Sequence, residues 1–495
     1  MSKSHKFFTL KVNKFFKVRN AKIRLSNLTI FVGENNLNKT WFAYLILTLL
    51  SDKHIENLFF KIYKDNRYKL FKILSELYDK LLSSNHIDNN NFKENIRSLI
   101  EKFYEELAKK YCYVLDESFF KITKTQFNKG DIKISCKISQ WSSIKTDKVA
   151  ENLIQYFFND LHIKNSKALL FQDFFNLFKL FKVLVKEFLK KNLAENYFYL
   201  PAERNALIQF ANLISYGELN LYRAEENVIS FSTLIKNLFP KIFNEENTET
   251  NVEDFLGERV RRETNYPSFI KEFIDFLFKI KDESIINKNI NEELLKLLES
   301  VIEGKIIVDE IGALFYKEEV GTQEIPVKIA SSMVKSLSGL NLFIKYKFIP
   351  NKYLLVIDEP EIALHPEAQV KLIEFLTILV NKGLKIILTT HSPYIVDHLI
   401  NLMEGYKVKK GLTPPKLKDK LKELFWLPKA IEDLELKEIK VDDILINPSK
   451  VSVYWFKKDN DGYVKLKSIK NSNDTIDWQT FSKISEKLSE IYYAL

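Results

Sequence analysis

Three short stretches carry residue types suited to phosphate chemistry. In "FVGENNLNKTWFAY" (31–44), Gly33, Lys39 and Thr40 fit the phosphate-loop pattern G-x-x-x-x-G-K-[ST], while Asn38 stands where the second glycine belongs. Such a loop surrounds an anion with backbone amides, neutralises it with the lysine and offers the hydroxyl to a cation. In "YLLVIDEPEIALHP" (353–366), four apolar residues run into Asp358-Glu359. A buried parallel strand would deliver both carboxylates at its C-terminal end, where ligands of open α/β sheets bind. Asp358 would then hold Mg²⁺ together with the Thr40 hydroxyl, and Glu359 would polarise an attacking water. In "LKIILTTHSPYIVDHL" (384–399), a second apolar run ends in Thr389-Thr390-His391-Ser392-Pro393, and a histidine there can reach a terminal phosphate. Alone, the acidic pair is more often a charged turn and the histidine more often structural. Their order along the chain, lysine loop, then acidic strand, then histidine strand, makes chance assembly remote.

These side chains need elements to hold them. Phe8, Leu10 and Val12 alternate with polar neighbours, and Leu28–Val32 is an apolar run stopping at Gly33, so residues 5–34 read as short strands. Residues 41–50 are apolar without Gly or Pro and read as a buried helix, which completes the strand–turn–helix context of a phosphate loop. From about 55 to 110 the pattern is helical, and "DIKISCKIS" (131–139) alternates like a strand. Residues 169–192 form a long amphipathic helix whose aromatic stripe serves packing. A strand at 197–200 leads into "PAERNAL", residues 205–300 are helical around a loop at 243–255, and 305–328 reads as short strands in a hairpin. A helix, a strand (353–357), a helix (367–381), a strand (384–389) and a polar tail follow. There is no internal repeat and no sustained heptad pattern.

Composition bounds the rest. A chain of 495 residues has room for two or three domains, and 46% hydrophobic with 28% charged residues is ordinary for a globular protein. Gly and Pro, 12 each, are scarce beside 39 Phe and 22 Tyr, which favours long helices. The net charge of +10 comes from lysines spread along the chain, so it reads as a solvated surface rather than a nucleic-acid stripe. Cys112 and Cys136 have no metal-ligand spacing and suit a reducing cytosol. No segment reaches the ~18–20 apolar residues of a membrane span and no signal peptide opens the chain, so the expected location is the cytoplasm, without membrane contact.

At "NLTIFVGENNLNKTWFAY", "FYLPAERNAL", "IPVKIASSMVKSLSGL" and "LLVIDEPEIALHPEAQ…ILTTHSPYIV" the chain resembles the ABC-type ATPases of the OLD, RecF and SMC group, the branch that includes AAA-family ATPases of bacterial defence loci. The C-terminal segment from Val451 is similar to the ends of stand-alone members. The resemblance implies an α/β fold: an ABC-type ATPase head with a mixed β-sheet and a largely helical inserted lobe. Residues 1–50 would form the N-terminal part of the head with the phosphate loop and 51–195 a helical insertion. Residues 196–304 would form the helical lobe, and 305–495 the C-terminal part with signature, acidic strand and histidine switch. ATP and Mg²⁺ are the implied cofactors. Gly33, Asn35, Asn36, Asn38, Lys39 and Thr40 would bind nucleotide, Thr40 and Asp358 would bind the metal, and Glu359 and His391 would be catalytic. Asn38 costs little in this reading, because asparagine is the best non-glycine residue for the left-handed backbone needed before the lysine.

Sites of this type are completed by a second subunit, so head-to-head dimerisation or a higher homo-oligomer is implied. For the signature that caps the partner's nucleotide, "ASSMVKSL" (330–337) is preferred to "LSGL" (337–340), whose surroundings read as helix interior. Ser331 and Ser332 can cap a helix and offer hydroxyls and amides to an anion, and Lys335 adds charge. Met333 departs from the glycine of many relatives. "IALHP" (362–366) falls at the dimer-contacting D-loop, and Glu203 or Arg204 is the nearest Q-loop candidate, with a core salt bridge as an equal alternative. The function implied is ATP hydrolysis coupled to dimerisation, as sensor or scaffold of an antiphage system like PARIS or Septu, acting with a separate effector such as a nuclease or toxin. Two rivals are a DNA-repair or DNA-organising ATPase of the RecF/SMC type, with nucleic acid as a possible partner, and an OLD-type nuclease. For the nuclease, the 104 residues after His391 are few, and "DND" (459–461) reads as a turn.

Overall fold

Apolar runs without alternation become the centre of a sheet, and alternating runs become its flank. The computed structural model describes residues 8–64, 69–83, 95–96, 98–100, 102–103, 133–138, 169–209, 268–280, 291–310, 312–319 and 323–468. Cys112, the loop at 243–255 and the basic "GERVRR" (257–262) lie outside them. Strands β1 (Phe8–Phe15), β2 (Val18–Leu25), β3 (Leu28–Gly33), β4 (Lys133–Ile138), β5 (Asn196–Leu200), β9 (Tyr353–Asp358), β10 (Lys385–Thr390), β11 (Val451–Lys458) and β12 (Val464–Ser468) form one sheet. Their order is β4-β1-β2-β12-β11-β3-β10-β9-β5. The segment β11-β3-β10-β9-β5 is parallel, and β1 pairs antiparallel with both β2 and β4. The sheet is therefore mixed, as expected of the α/β class. Strands β3, β9 and β10 are buried almost throughout, whereas β2 alternates buried and exposed residues.

Helix α1 (Lys39–Thr48) follows β3 and packs against it. Phe42 of α1 meets Phe31 and Phe456 with ring centroids 5.5 and 5.6 Å apart, a cluster that ties α1 to β3 and β11. The helical pattern expected from about 55 to 110 corresponds to α2 (Asp52–Lys64) and α3 (Lys69–Ser83), and the long amphipathic helix expected at 169–192 is α4 (Leu169–Asn192). Helices α5 (Ser268–Lys279) and α6 (Glu292–Ile302) precede a three-stranded antiparallel sheet of β6 (Gly304–Val308), β7 (Leu314–Glu318) and β8 (Glu324–Pro326). Then come α7 (Ser332–Tyr346), α8 (Pro366–Asn381) between β9 and β10, and α9 (Pro393–Val408). Among the described residues, no helix is long and apolar enough to cross a membrane.

The polar tail expected after β10 is instead structured. Helices α10 (Pro414–Leu424) and α11 (Leu427–Asp433) dock on a buried carboxylate. Glu374 of α8 lies 2.8 Å from His398 Nε2 and accepts the backbone N–H groups of Trp426 and Leu427. The hairpin β11–β12 then enters the main sheet between β2 and β3. Lysines at every few positions disguise these strands in the sequence, because β11 buries Val451, Val453, Tyr454 and Phe456 while its lysines stay exposed. "DND" is the hairpin turn, where the Asp459 carboxylate accepts the amides of Asp461 and Tyr463.

Candidate functional site

The C-terminal ends of β3, β9 and β10 lie side by side, so the three sequence stretches converge. After β3 the chain turns at Gly33, with φ 151°, where a Cβ would stand 2.6 Å from the Phe456 carbonyl oxygen. Close approach of the β11 backbone is what requires glycine there. Asn38 has φ 66° and ψ 25°, the left-handed conformation anticipated for it, and Asn36 has φ 61°. Asn38 immediately precedes α1, whose first-turn amides have no intrahelical partners. Its side-chain Oδ1 is buried without a hydrogen-bond partner. Asn35 is exposed in the same loop.

Lys39 is 5% exposed and its Nζ donates to the carbonyls of Gly33 (3.1 Å) and Glu34 (2.9 Å) and lies 2.9 Å from His391 Nε2. Burial pushes its ammonium down to about 8, against the opposing pull of Glu359, Asp358 and Glu361. Thr40 Oγ1 donates to Asp358 Oδ1 at 3.0 Å, and the Thr389 hydroxyl donates to the same oxygen. Asp358 is 2% exposed, and burial pushes its carboxyl up to about 6 despite those two donors. A hydroxyl and a carboxylate converging in this way are oxygen donors of the kind that hard divalent cations take. Behind them Tyr199 donates to Tyr44 at 3.0 Å and lies 3.5 Å from Asp358 Oδ2.

Glu359 leaves the strand with φ 47°, its amide donating to the Thr389 carbonyl (3.0 Å) and hydroxyl (3.1 Å). Its carboxylate is half-buried, 3.4 Å from His391 Nε2, and the imidazole beside it holds it below the usual carboxylate range. His391 is thus within reach of both Lys39 and Glu359, and its amide donates to Glu361 at 2.5 Å. Ser392 caps α9 and its hydroxyl donates to Gln369, which in turn holds the Leu364 carbonyl, so the turn after β9 is tied to the end of β10.

Gly33, Asn38, Lys39, Thr40, Asp358, Glu359 and His391 are thereby brought into one cluster. Ser331 and Ser332 stand apart and exposed at the N-terminus of α7, where Ser331 accepts the Val334 amide as an N-cap. "LSGL" is helix interior, with Gly339 packed against Leu200 and Phe273. Glu203 is exposed, whereas Arg204 is buried and bonds carbonyls and a hydroxyl rather than forming a core salt bridge. The sequence reading missed Glu361, Gln369, Tyr44 and Tyr199. Only Glu361 carried a signal, as the third acid of "DEPE".

A family model described as an AAA ATPase domain matches residues 7–396. No curated protein matches the sequence. Among solved structures, the Smc head domain with an extended coiled coil bound to the C-terminal domain of ScpA, from Pyrococcus furiosus, is 14% identical, with 99% of this chain and 100% of that chain covered and a TM-score of 0.31. The SmcHead bound to the C-winged helix domain of ScpA is 12% identical, with 94% and 98% covered and a TM-score of 0.30. The family match spans most of the chain and takes in the phosphate-type loop, the acidic strand end and the histidine strand end together: the chain belongs to the AAA ATPase domain family.

Proposed function

We propose that this protein binds ATP with Mg²⁺ and hydrolyses it, and that two copies engage head to head around the nucleotide. The observation that carries the reading is the meeting of Lys39, Thr40, Asp358, Glu359 and His391 at three adjacent strand ends. The loop amides and Lys39 bind and orient the phosphates, with Lys39 exchanging loop carbonyls for phosphate oxygens. Thr40 and Asp358 would hold Mg²⁺, which would supply positive charge to the phosphates. Glu359 orients the attacking water and takes its proton, and His391 reaches the terminal phosphate beside Lys39. Head-to-head engagement is supported by the exposed N-terminus of α7 at Ser331 and Ser332 and by Ile329, 69% exposed just before it.

The test is titration calorimetry with ATP and Mg²⁺ alongside phosphate release. Wild type should bind and turn over, Lys39→Ala should lose binding, and Glu359→Gln should bind normally while turnover falls about 10²–10⁴-fold. Absence of ATP binding by the wild type sinks the reading. The finer role, sensor or scaffold of an antiphage system with a separate effector, rests on the motif resemblance. Phage challenge of cells carrying the gene with its genomic neighbour tests it, and equal plaque counts for wild type and Glu359→Gln would reject it.

A second reading, a nucleic-acid-handling ATPase, is favoured by one observation. No Asp or Glu occurs before Glu34, and the β1–β2 ladder sets the exposed Lys11 opposite the exposed Lys22. Like charges directly across a ladder destabilise it, and an anionic polymer would offset that cost. Anisotropy with a 30-base-pair duplex tests this: binding whose salt slope falls by about 2 in Lys11→Glu/Lys22→Glu supports it, and no binding at low salt removes it.

A further inference from the structure

We infer that Arg204 is a positioning residue: its buried guanidinium fixes the backbone of Glu359, and so the direction of its carboxylate, and ties that backbone to α7. The inference rests on the hydrolytic role proposed for Glu359. Arg204 is 2% exposed. Nε donates to the Ser336 carbonyl (3.0 Å), and Nη1 donates to the carbonyls of Pro201 (3.0 Å) and Asp358 (2.9 Å). Nη2 donates to Ser336 Oγ (2.9 Å) and the Glu359 carbonyl (3.1 Å), with the Pro360 carbonyl at 3.4 Å. Every one of these partners is a carbonyl or a hydroxyl. A buried cation placed for stability alone is ordinarily paired with a carboxylate. Here three of the six contacts go to backbone carbonyls of one turn, those of Asp358, Glu359 and Pro360, and two go to Ser336 of α7.

The geometry gives that choice a consequence. The Asp358 carbonyl belongs to the peptide plane before Glu359, and the Glu359 carbonyl to the plane after it. The rotation between two successive peptide planes is the φ,ψ pair of the residue between them. A single rigid guanidinium holding both carbonyls therefore sets the dihedral angles of Glu359. Those angles need setting: φ is 47°, a left-handed value that a glutamate keeps only where its surroundings over-determine it. On the opposite side the Glu359 amide is held by Thr389, so the residue is pinned through both its donor and its acceptor. Releasing one side allows the backbone to relax and swings the carboxylate away from His391.

Ser336 extends the device into α7. Its hydroxyl accepts from Arg204 and donates to the Ile362 carbonyl at 3.0 Å, closing a loop from α7 through Arg204 to the turn after β9. Ser331 and Ser332 begin the same helix. A shift of α7 thus pulls on the carbonyls that orient Glu359, which gives events at the exposed helix end a direct route to the hydrolytic carboxylate.

The experiment uses full-length Arg204→Met, Arg204→Lys and Ser336→Ala, with steady-state hydrolysis and amide hydrogen exchange measured on each. In Arg204→Met, kcat should fall about tenfold or more while KM stays within about threefold, since a mispositioned base weakens the transition state and not ATP binding. Arg204→Lys keeps the charge but cannot span the turn, and should remain closer to Arg204→Met than to wild type. An unchanged kcat in a folded variant overturns the inference, as does a raised KM at unchanged kcat. If the Arg204 variants fail to fold, Ser336→Ala decides: a severalfold loss of kcat at constant KM supports the inference, and wild-type kinetics overturns it. Exchange at the amides of Glu359, Ile362 and Leu364 needs no hydrolysis. If wild type proves inactive, the hydrolytic reading fails by that result alone; faster exchange there in Ser336→Ala then supports the positioning role, and unchanged exchange overturns it.

Discussion

At the scale of single residues, Asn38 shows how a departure from a pattern can keep the pattern's geometry. The loop needs a left-handed residue before Lys39, and asparagine tolerates φ 66° where most side chains do not. Its Oδ1 is buried without a partner, so the side chain itself carries a desolvation cost. Asn38→Gly removes both penalties but adds freedom to the unfolded chain, and denaturant titration should find stability within about 1 kcal/mol of wild type. ATP affinity should be unchanged or tighter. Asn38→Val forces a β-branched side chain into the same backbone and should cost about 1–3 kcal/mol. Equal stability of the valine and glycine variants would mean that the left-handed conformation is not enforced.

At the scale of elements, β10 presents His391 at one end and begins with a lysine that its surroundings tax. Lys385 donates to the Leu193 carbonyl, and burial lowers its ammonium from 10.5 to about 8. A folded-state value below the unfolded one means that the unfolded chain binds more protons between those limits. Stability from this group is therefore complete above 10.5 and lost as pH falls through about 8. Lys385→Met should be more stable than wild type at pH 7, by up to about 3 kcal/mol, with the difference shrinking toward pH 10. Melting temperatures across that range check it, and a pH-independent difference would show that packing, not charge, separates the two proteins.

At the scale of the whole molecule, the order of strands explains why distant segments act together. The hairpin β11–β12 lies between β2 and β3, and the Phe456 carbonyl is the atom that Gly33 must avoid. Residues more than 400 positions downstream of the loop thus shape its first turn. Truncation after Lys450 would expose the edges of β3 and β2 and remove one face of the Phe31–Phe42–Phe456 cluster. It should abolish the cooperative thermal transition rather than trim a tail. A truncated protein with a native-like melt would contradict the central position of the hairpin.

The sequence alone determined what depends on neighbours in the chain. Continuous apolar runs located β3, β9 and β10, and a proline in the first turn marked the start of α9. Asp358 and His391 were legible because each sits at or just past the end of such a run, where chain direction fixes which side chains emerge, and Thr40 because it follows Lys39 in the phosphate-loop pattern that opens α1. Tertiary structure alone decided what depends on partners far apart in sequence. The lysine-rich strands β11 and β12 owe their place to unpaired ladder edges on β2 and β3, which no local pattern records. Arg204 read equally as a Q-loop candidate or a core salt bridge, and its actual partners are carbonyls more than 130 positions away. A backbone oxygen is present at every residue, so its availability to a distant guanidinium is settled only when the chain has folded.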